Sequence, residues 1–235
     1  MRYKIIQTGS DGNATLIQGK ILIDCGVPYK LLQPYVRDLQ LVLLTHQHGD
    51  HFCKSTVRRL AKERPTLRWG CAEWMVYYAL DAGVDIRNID VMETDGTTYC
   101  YGPTLDGAII RPVRLNHNVP NCGYHIQIDW DKLFYATDTG SLDGIEAKDY
   151  EIYMVEANYT EASLRLREEA KLEAGEFAYE TAARENHLSY EQAIEWLQQN
   201  MGPRSIWVPM HQHKEMERGE DDGGEADAEP EDNGE

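Results

Sequence analysis

The sequence predicts an α/β protein of one main domain in which two β-sheets are each covered by helices. Three observations predict it. Residues 1–44 read as short strands separated by turn residues, and strand patterning returns over 86–136 after two helical segments. A charged helix-forming stretch and an amphipathic helix then precede one last strand. At 235 residues and 42% hydrophobic content, the chain can bury a sizeable core but is short for two full domains.

The opening elements are RYKIIQ, the turn GSDGN, ATLIQ and KILID, which stops at Cys25-Gly26. A helix is expected around Lys30–Leu39, followed by Leu41–Leu44, an unbroken apolar run of strand length that suits burial on both faces. Residues 54–64 and 72–82 carry helical apolar spacing and end near Pro65 and Gly83. NIDVM, TTYCYG, AIIRPVRL, CGYHIQID and KLFYATD are then expected to form a second sheet, joined by IYMVE at 152–156. Residues 160–184 are charged and helix-forming, 189–200 form an amphipathic helix, and SIWVP is the last strand. The domain is expected to span 1–213, with 214–235 a disordered acidic tail too poor in apolar residues to pack.

The formal net charge is −17, and the last 22 residues hold two basic and eleven acidic side chains, leaving −8 on residues 1–213. That balance disfavours a duplex-binding surface, although a basic rim or bound metal can still attract phosphates. No apolar run reaches the length of a membrane span and MRYKIIQTGSDGN lacks the apolar stretch of a signal peptide, so the expectation is a cytoplasmic protein with no membrane partner. The five cysteines form no CxxC pair and are expected to be reduced thiols.

Chemistry concentrates in Thr45-His46-Gln47-His48-Gly49-Asp50-His51, directly after the apolar run. Three of the eight histidines and a carboxylate fall within six residues, and these donors suit zinc and neighbouring first-row metals. A loop at a strand end can turn several of them into one cleft. Further donors stand where other strands give way to loops: His117 after RPVRL, Asp138 after KLFYAT and His211 after SIWVP, with His213 an alternative two residues on. His46, His48 and His117 can hold one ion, and Asp50, His51 and His211 a second. Asp138 can bridge them, so that two ions about 3.5–4 Å apart share an acidified water. Asp24 either orients a ligand or fixes the Cys25-Gly26 turn, and is not counted among the ligands. His125, in an alternating strand, and the aromatics Trp74, Tyr77 and Tyr78 are read as structural.

This H-x-H-x-D-H run, with Gly9-Ser10-Asp11-Gly12-Asn13, Leu22–Gly26, His117, Asp138 and His211, resembles the metallo-β-lactamase fold hydrolases. The GS-x-GN opening, Thr137–Gly140 and Asn186-His187-Leu188-Ser189 are most similar to the small single-domain exonuclease-like branch. The resemblance implies a four-layer αββα sandwich with two divalent ions, zinc or else manganese or iron, at one edge of the two sheets. It further implies that His187 is not a ligand but a proton donor to the leaving oxygen. Read from the residues alone, the same segment is a helix start in which Ser189 caps the backbone. Two departures from the branch stand out: Glu156-Ala157-Asn158-Tyr159, where a histidine often follows the asparagine, and Met210-His211-Gln212-His213 in place of a simpler ending.

The function expected is metal-dependent hydrolysis of a phosphodiester, as in a nuclease acting on ends or single strands of DNA or RNA. A hydroxide bridging the metals would attack, Asp50 would hold it and take its proton, and His187 would protonate the departing alkoxide. Two alternatives remain at this point: a thioester or lactone hydrolase on the same site, and an inactive metal-binding interaction module.

Overall fold

The computed structural model describes residues 1–174 and 180–212; the alternative ligand His213, the acidic tail and the middle of the 160–184 helical stretch lie outside the described residues. The first sheet contains six strands in sequence order: β1 (Tyr3–Gln7), β2 (Ala14–Ile17), β3 (Ile21–Ile23), β4 (Leu41–Leu44), β5 (Arg68–Cys71) and β6 (Ile89–Val91). Its first three strands form an antiparallel meander and its last four run parallel. The second sheet contains β7 (Tyr99–Cys100), β8 (Ile109–Leu115), β9 (Asn121–Ile128), β10 (Asp131–Ala136), β11 (Ile152–Glu156) and β12 (Ile206–Met210), again in sequence order. There β7 to β10 alternate in direction, while β10, β11 and β12 are parallel.

The helices are α1 (Tyr29–Leu32), α2 (Lys54–Glu63), α3 (Glu73–Asp81), α4 (Glu161–Ala174), α5 (Glu180–Asn186) and α6 (Tyr190–Asn200). Because successive strand residues face opposite sides, each buried strand feeds two cores. Leu41 and Leu43 of β4 meet Tyr135 of β10 and Met154 of β11 between the sheets. Val42 and Leu44 instead pack outward with Leu32, Val57, Leu60 and Met75 from α1, α2 and α3. On the far side, Phe134, Ala136, Tyr153 and Val155 pack against Ala193 and Leu197 of α6. Three cores separated by two sheets make the αββα sandwich.

The structure corrects three local readings. The helix expected over Lys30–Leu39 is a single turn, α1, because Pro34 has no N–H to continue it, and the chain proceeds by turns to β4. NIDVM forms a strand, but β6 pairs in parallel with β5 and so completes the first sheet instead of opening the second. The strand β5 was not anticipated. Its run RWGC carries an arginine and a glycine, and Gly70 leaves room for the side-chain ends of Leu43 and Met92, which a Cβ would push aside. The amphipathic 189–200 segment forms α6, with Ser189 and Gln192 closing a capping box at its start.

Strand direction places the site. β8, β10, β11 and β12 share one direction, since two antiparallel pairings separate β8 from β10. His117, Asp138, Glu156 and His211 stand at the carboxyl ends of these four strands, as Asp24 and His46 stand after β3 and β4.

Candidate metal centre

The loop after β4 is held from beneath. Asp24, fully buried, accepts hydrogen bonds from the Thr45 backbone N–H (2.9 Å) and hydroxyl (2.9 Å), and lies 2.6 Å from His51 Nδ1. Asn13, also fully buried, donates through its backbone N–H to the Asp50 carbonyl at 2.6 Å, and its side-chain amide lies 2.8 Å from His51 Nε2. Gly26 packs so closely beneath this loop that a Cβ would overlap the Asp50 carbonyl group. The GS-x-GN turn and the Cys25-Gly26 turn therefore act as the floor of the histidine loop.

Three site residues adopt the left-handed backbone region: Asp24 (φ 61°), Asp138 (φ 56°) and His211 (φ 52°). This conformation costs a non-glycine residue roughly 1–2 kcal/mol, and Asp tolerates it best. Asp138 is held there by Asn121, whose amide donates to the Asp138 carbonyl at 2.7 Å. His211 is held by the Thr8 hydroxyl, which accepts from its N–H at 2.9 Å, and by Asn158, which donates to its carbonyl at 2.9 Å.

Three groups of metal-capable side chains converge on Asp138, the third joining it with Glu156, His187 and His211. Donor atoms of His46, His48, His117 and Asp138 all lie within 4.8 Å of one another, as do those of Asp50, His51, Asp138 and His211. Asp138 Oδ2 is 3.4 Å from His46 Nε2, 3.3 Å from His51 Nε2 and 3.8 Å from His117 Nε2, while Oδ1 is 3.4 Å from His211 Nε2. All seven residues expected as ligands from the sequence thus meet in one cluster, with Asp138 common to its groups.

Whether this set suits a metal can be judged from its unmet bonding. His46 Nε2 and Asp138 Oδ1 are buried without a hydrogen-bond partner, an arrangement that costs about 1–3 kcal/mol per group and that a cation relieves. Burial pushes His46 down and His117 down to about 4, so both are neutral with a lone pair to give. Burial also opposes protonation of His51 and His211, but Asp138 with Asp24 lifts the first well above its usual value, and Asp138 with Asp50 and Glu156 lifts the second to about 10. The carboxylates therefore create a negative potential that calls for positive charge, from protons or from metal ions. The His/Asp cluster fits divalent cations.

His187, after α5, lies beside this cluster. Its Nδ1 is 2.6 Å from Glu156 Oε1, and its ring stacks on His211 at 5.4 Å with an 8° interplanar angle. Burial lowers its affinity for a proton, but the Glu156 and Asp138 carboxylates together raise it above the ordinary histidine value. His187 shares a cleft of about 510 Å³ with His48, Asp50, His117, Asp138 and His211. Ser189 caps α6, as expected from the residues alone, while His187 two positions earlier lines the cleft.

Sequence reasoning missed Glu156, Asn13 and Asn158 as site residues. Glu156 is fully buried, accepts from the Thr139 N–H at 2.9 Å, and faces both His187 and His211. A carboxylate ending the otherwise apolar strand IYMVE was the available signal. His125 is outside the ligand groups and bonds Tyr150 (3.0 Å), and the Trp74 indole N–H donates to the Thr45 carbonyl at 3.2 Å, supporting the start of the histidine loop.

A two-sheet sandwich with histidines and aspartates gathered at its strand ends defines a metallo-β-lactamase fold. The chain belongs to the β-lactamase superfamily: residues 20–212 match the Beta-lactamase superfamily domain. It is 32% identical over 141 residues to a UPF0173 metal-dependent hydrolase of Thermococcus kodakarensis, a match covering 54% of this chain and 58% of that protein. The chain thus spans little more than half the length of the curated relatives it matches. Among solved structures it is similar to the short form of human tRNase Z (13% identity, TM-score 0.65, 92% of this chain and 94% of that one). It is also similar to a diphosphatase of the PhnP family (15% identity, TM-score 0.61, 92% and 89%). At these identities the likeness is one of fold.

Proposed function

We propose that this chain is a metal-dependent hydrolase of phosphodiesters, an exonuclease-like nuclease acting on ends or single strands of DNA or RNA. The observation that carries the reading is His187, held by Glu156 on the wall of the same cleft as the His/Asp cluster. A nucleotide alkoxide is a poor leaving group, and its departure calls for a positioned proton donor. In this reading His46, His48 and His117 would hold one ion and Asp50, His51 and His211 the other, with the Asp138 carboxylate within reach of both groups. When bound, the ions, zinc by preference, supply Lewis-acid charge and acidify water near neutral pH.

The chain's own residues do the rest. Asp50 orients the attacking water and receives its proton. Glu156 engages His187 Nδ1, which leaves Nε2 to protonate the leaving oxygen. The curated relatives named as metal-dependent hydrolases support metal dependence, and a tRNase and a diphosphatase built on the same fold support hydrolysis at a phosphorus centre. Five free cysteines accord with a cytoplasmic setting, and among the described residues no helix is long and apolar enough to cross a membrane.

The test is cleavage of end-labelled single-stranded and duplex DNA and RNA by metal-analysed protein, beside bis(p-nitrophenyl) phosphate and a thioester, with Asp50→Ala as control. Metal-dependent strand cleavage that disappears in the variant is the expected result. Inert nucleic acids together with thioester turnover would overturn the reading.

A further inference from the structure

Part of the cleft wall is supplied by α4 through Leu164, Arg167 and Lys171. These positions are three and four residues apart and so share one helix face. Leu164 is buried and anchors that face, while Leu166 and Leu172 are exposed. The helix is tied to α5 by Arg184, which pairs with Glu168 and, at 3.5 Å, with Glu161. Those two carboxylates are thereby occupied by Arg184. Arg167 Nε is buried with no hydrogen-bond partner among the described residues.

An orphaned guanidinium N–H in a cleft wall is unusual and points to a missing acceptor. Guanidinium presents a planar fork that matches phosphate oxygens, and Lys171 adds a second positive charge one turn on. These cations line the cleft of a chain whose net charge is −17, so they are not explained by overall composition. The cavity, about 510 Å³, has the size of a small-molecule pocket and suits a strand terminus better than a groove tracking several nucleotides.

We propose that Arg167, with Lys171, binds a terminal phosphate monoester of the substrate and so makes the site selective for phosphate-ended strands. The inference rests on the phosphodiesterase reading for its substrate class. A monoester carries more negative charge than the internal diesters of the strand and offers three oxygens to the fork.

The experiment compares kcat/KM for single-stranded oligonucleotides ending in 5′-phosphate, 3′-phosphate or hydroxyl, in wild type, Arg167→Gln and Arg167→Lys. One phosphorylated end is expected to be preferred over hydroxyl by roughly 10–100-fold. The ratio should fall towards one in Arg167→Gln and be partly restored in Arg167→Lys. The second readout is fluorescence anisotropy of the same strands on the full-length chain in chelator, where Arg167→Gln should erase the preference for the phosphorylated end. Thermal melts of each variant confirm folding. Equal binding of phosphorylated and hydroxyl ends to the wild type, or a preference that survives in folded Arg167→Gln, overturns the proposal. If no strand is cut, the phosphodiesterase reading fails, and the anisotropy still decides the role of Arg167.

Discussion

Asp24→Asn is the most searching perturbation of the candidate metal centre because it changes one atom and keeps the backbone. Asparagine tolerates the φ of 61° at this position, so the Cys25-Gly26 turn should survive. In the wild type, Asp24 Oδ1 accepts from the Thr45 N–H at 2.9 Å, and Oδ2 lies 2.6 Å from His51 Nδ1. An asparagine that keeps the Thr45 bond turns its Nδ2–H towards His51 Nδ1. The imidazole must then accept there and carry its proton on Nε2, the atom 3.3 Å from Asp138 and 3.6 Å from Asp50. A protonated Nε2 cannot ligate a metal. Flipping the amide relieves His51 but sets Nδ2–H against the Thr45 N–H, two donors face to face. The first orientation forfeits the ligating tautomer of His51 and the second a hydrogen bond, and a cost of about 1.5–3 kcal/mol in either case corresponds to about 10–100-fold in affinity for the ion at His51. Competition with a zinc-binding dye measures that affinity, and thermal unfolding with and without zinc reports the linked loss of stabilisation. Asp24→Ala should lose more, since it also leaves the buried Thr45 N–H unpaired. A folded Asp24→Asn protein that binds zinc within twofold of wild type would refute the reasoning.

Three further outcomes are expected. His187→Ala should lower kcat on oligonucleotides by about 10²–10⁴-fold and lower it far less on bis(p-nitrophenyl) phosphate, whose leaving group needs little protonation; equal losses on both would show a merely structural role. Gly26→Ala must displace the Asp50 carbonyl and with it the histidine loop, so zinc binding should fall even where circular dichroism shows a folded chain. Burial, with Arg111 nearby, pushes His125 down to about 3, so the folded state keeps it neutral while the unfolded chain protonates near its ordinary value. Its contribution is complete above about pH 6.5 and is lost at about 1.4 kcal/mol per pH unit as pH falls towards 3. Urea unfolding at pH 7 and pH 5 should therefore show wild type losing about 2 kcal/mol more than His125→Gln.

Strands, turns and the histidine loop were legible because each is encoded locally. Alternating or unbroken apolar runs define strand faces, the glycine turns punctuate them, and three histidines clustered after Leu41–Leu44 have few other uses. His117, Asp138 and His211 were legible for the same reason, as metal-capable side chains where strands end. Sheet membership was not. NIDVM reads as a strand in either sheet, and only its pairing with RWGC, a run with weak strand character of its own, assigns it to the first. The helix after Val27 was shorter than its composition suggested because one proline outweighs several good helix formers.

What the sequence by itself determined, then, was the set of chemical groups and their place at strand ends, since side-chain type and period-2 burial are properties of short segments. The tertiary structure alone decided which of those ends meet. It placed Asp24 and Asn13 under His51, set Glu156 between His187 and His211, and laid Arg167 on the cleft wall. These contacts join residues separated by 27 to 55 positions and depend on strand direction, register and the packing of two sheets on a common core. Such terms are summed over the whole chain, and no local pattern carries them.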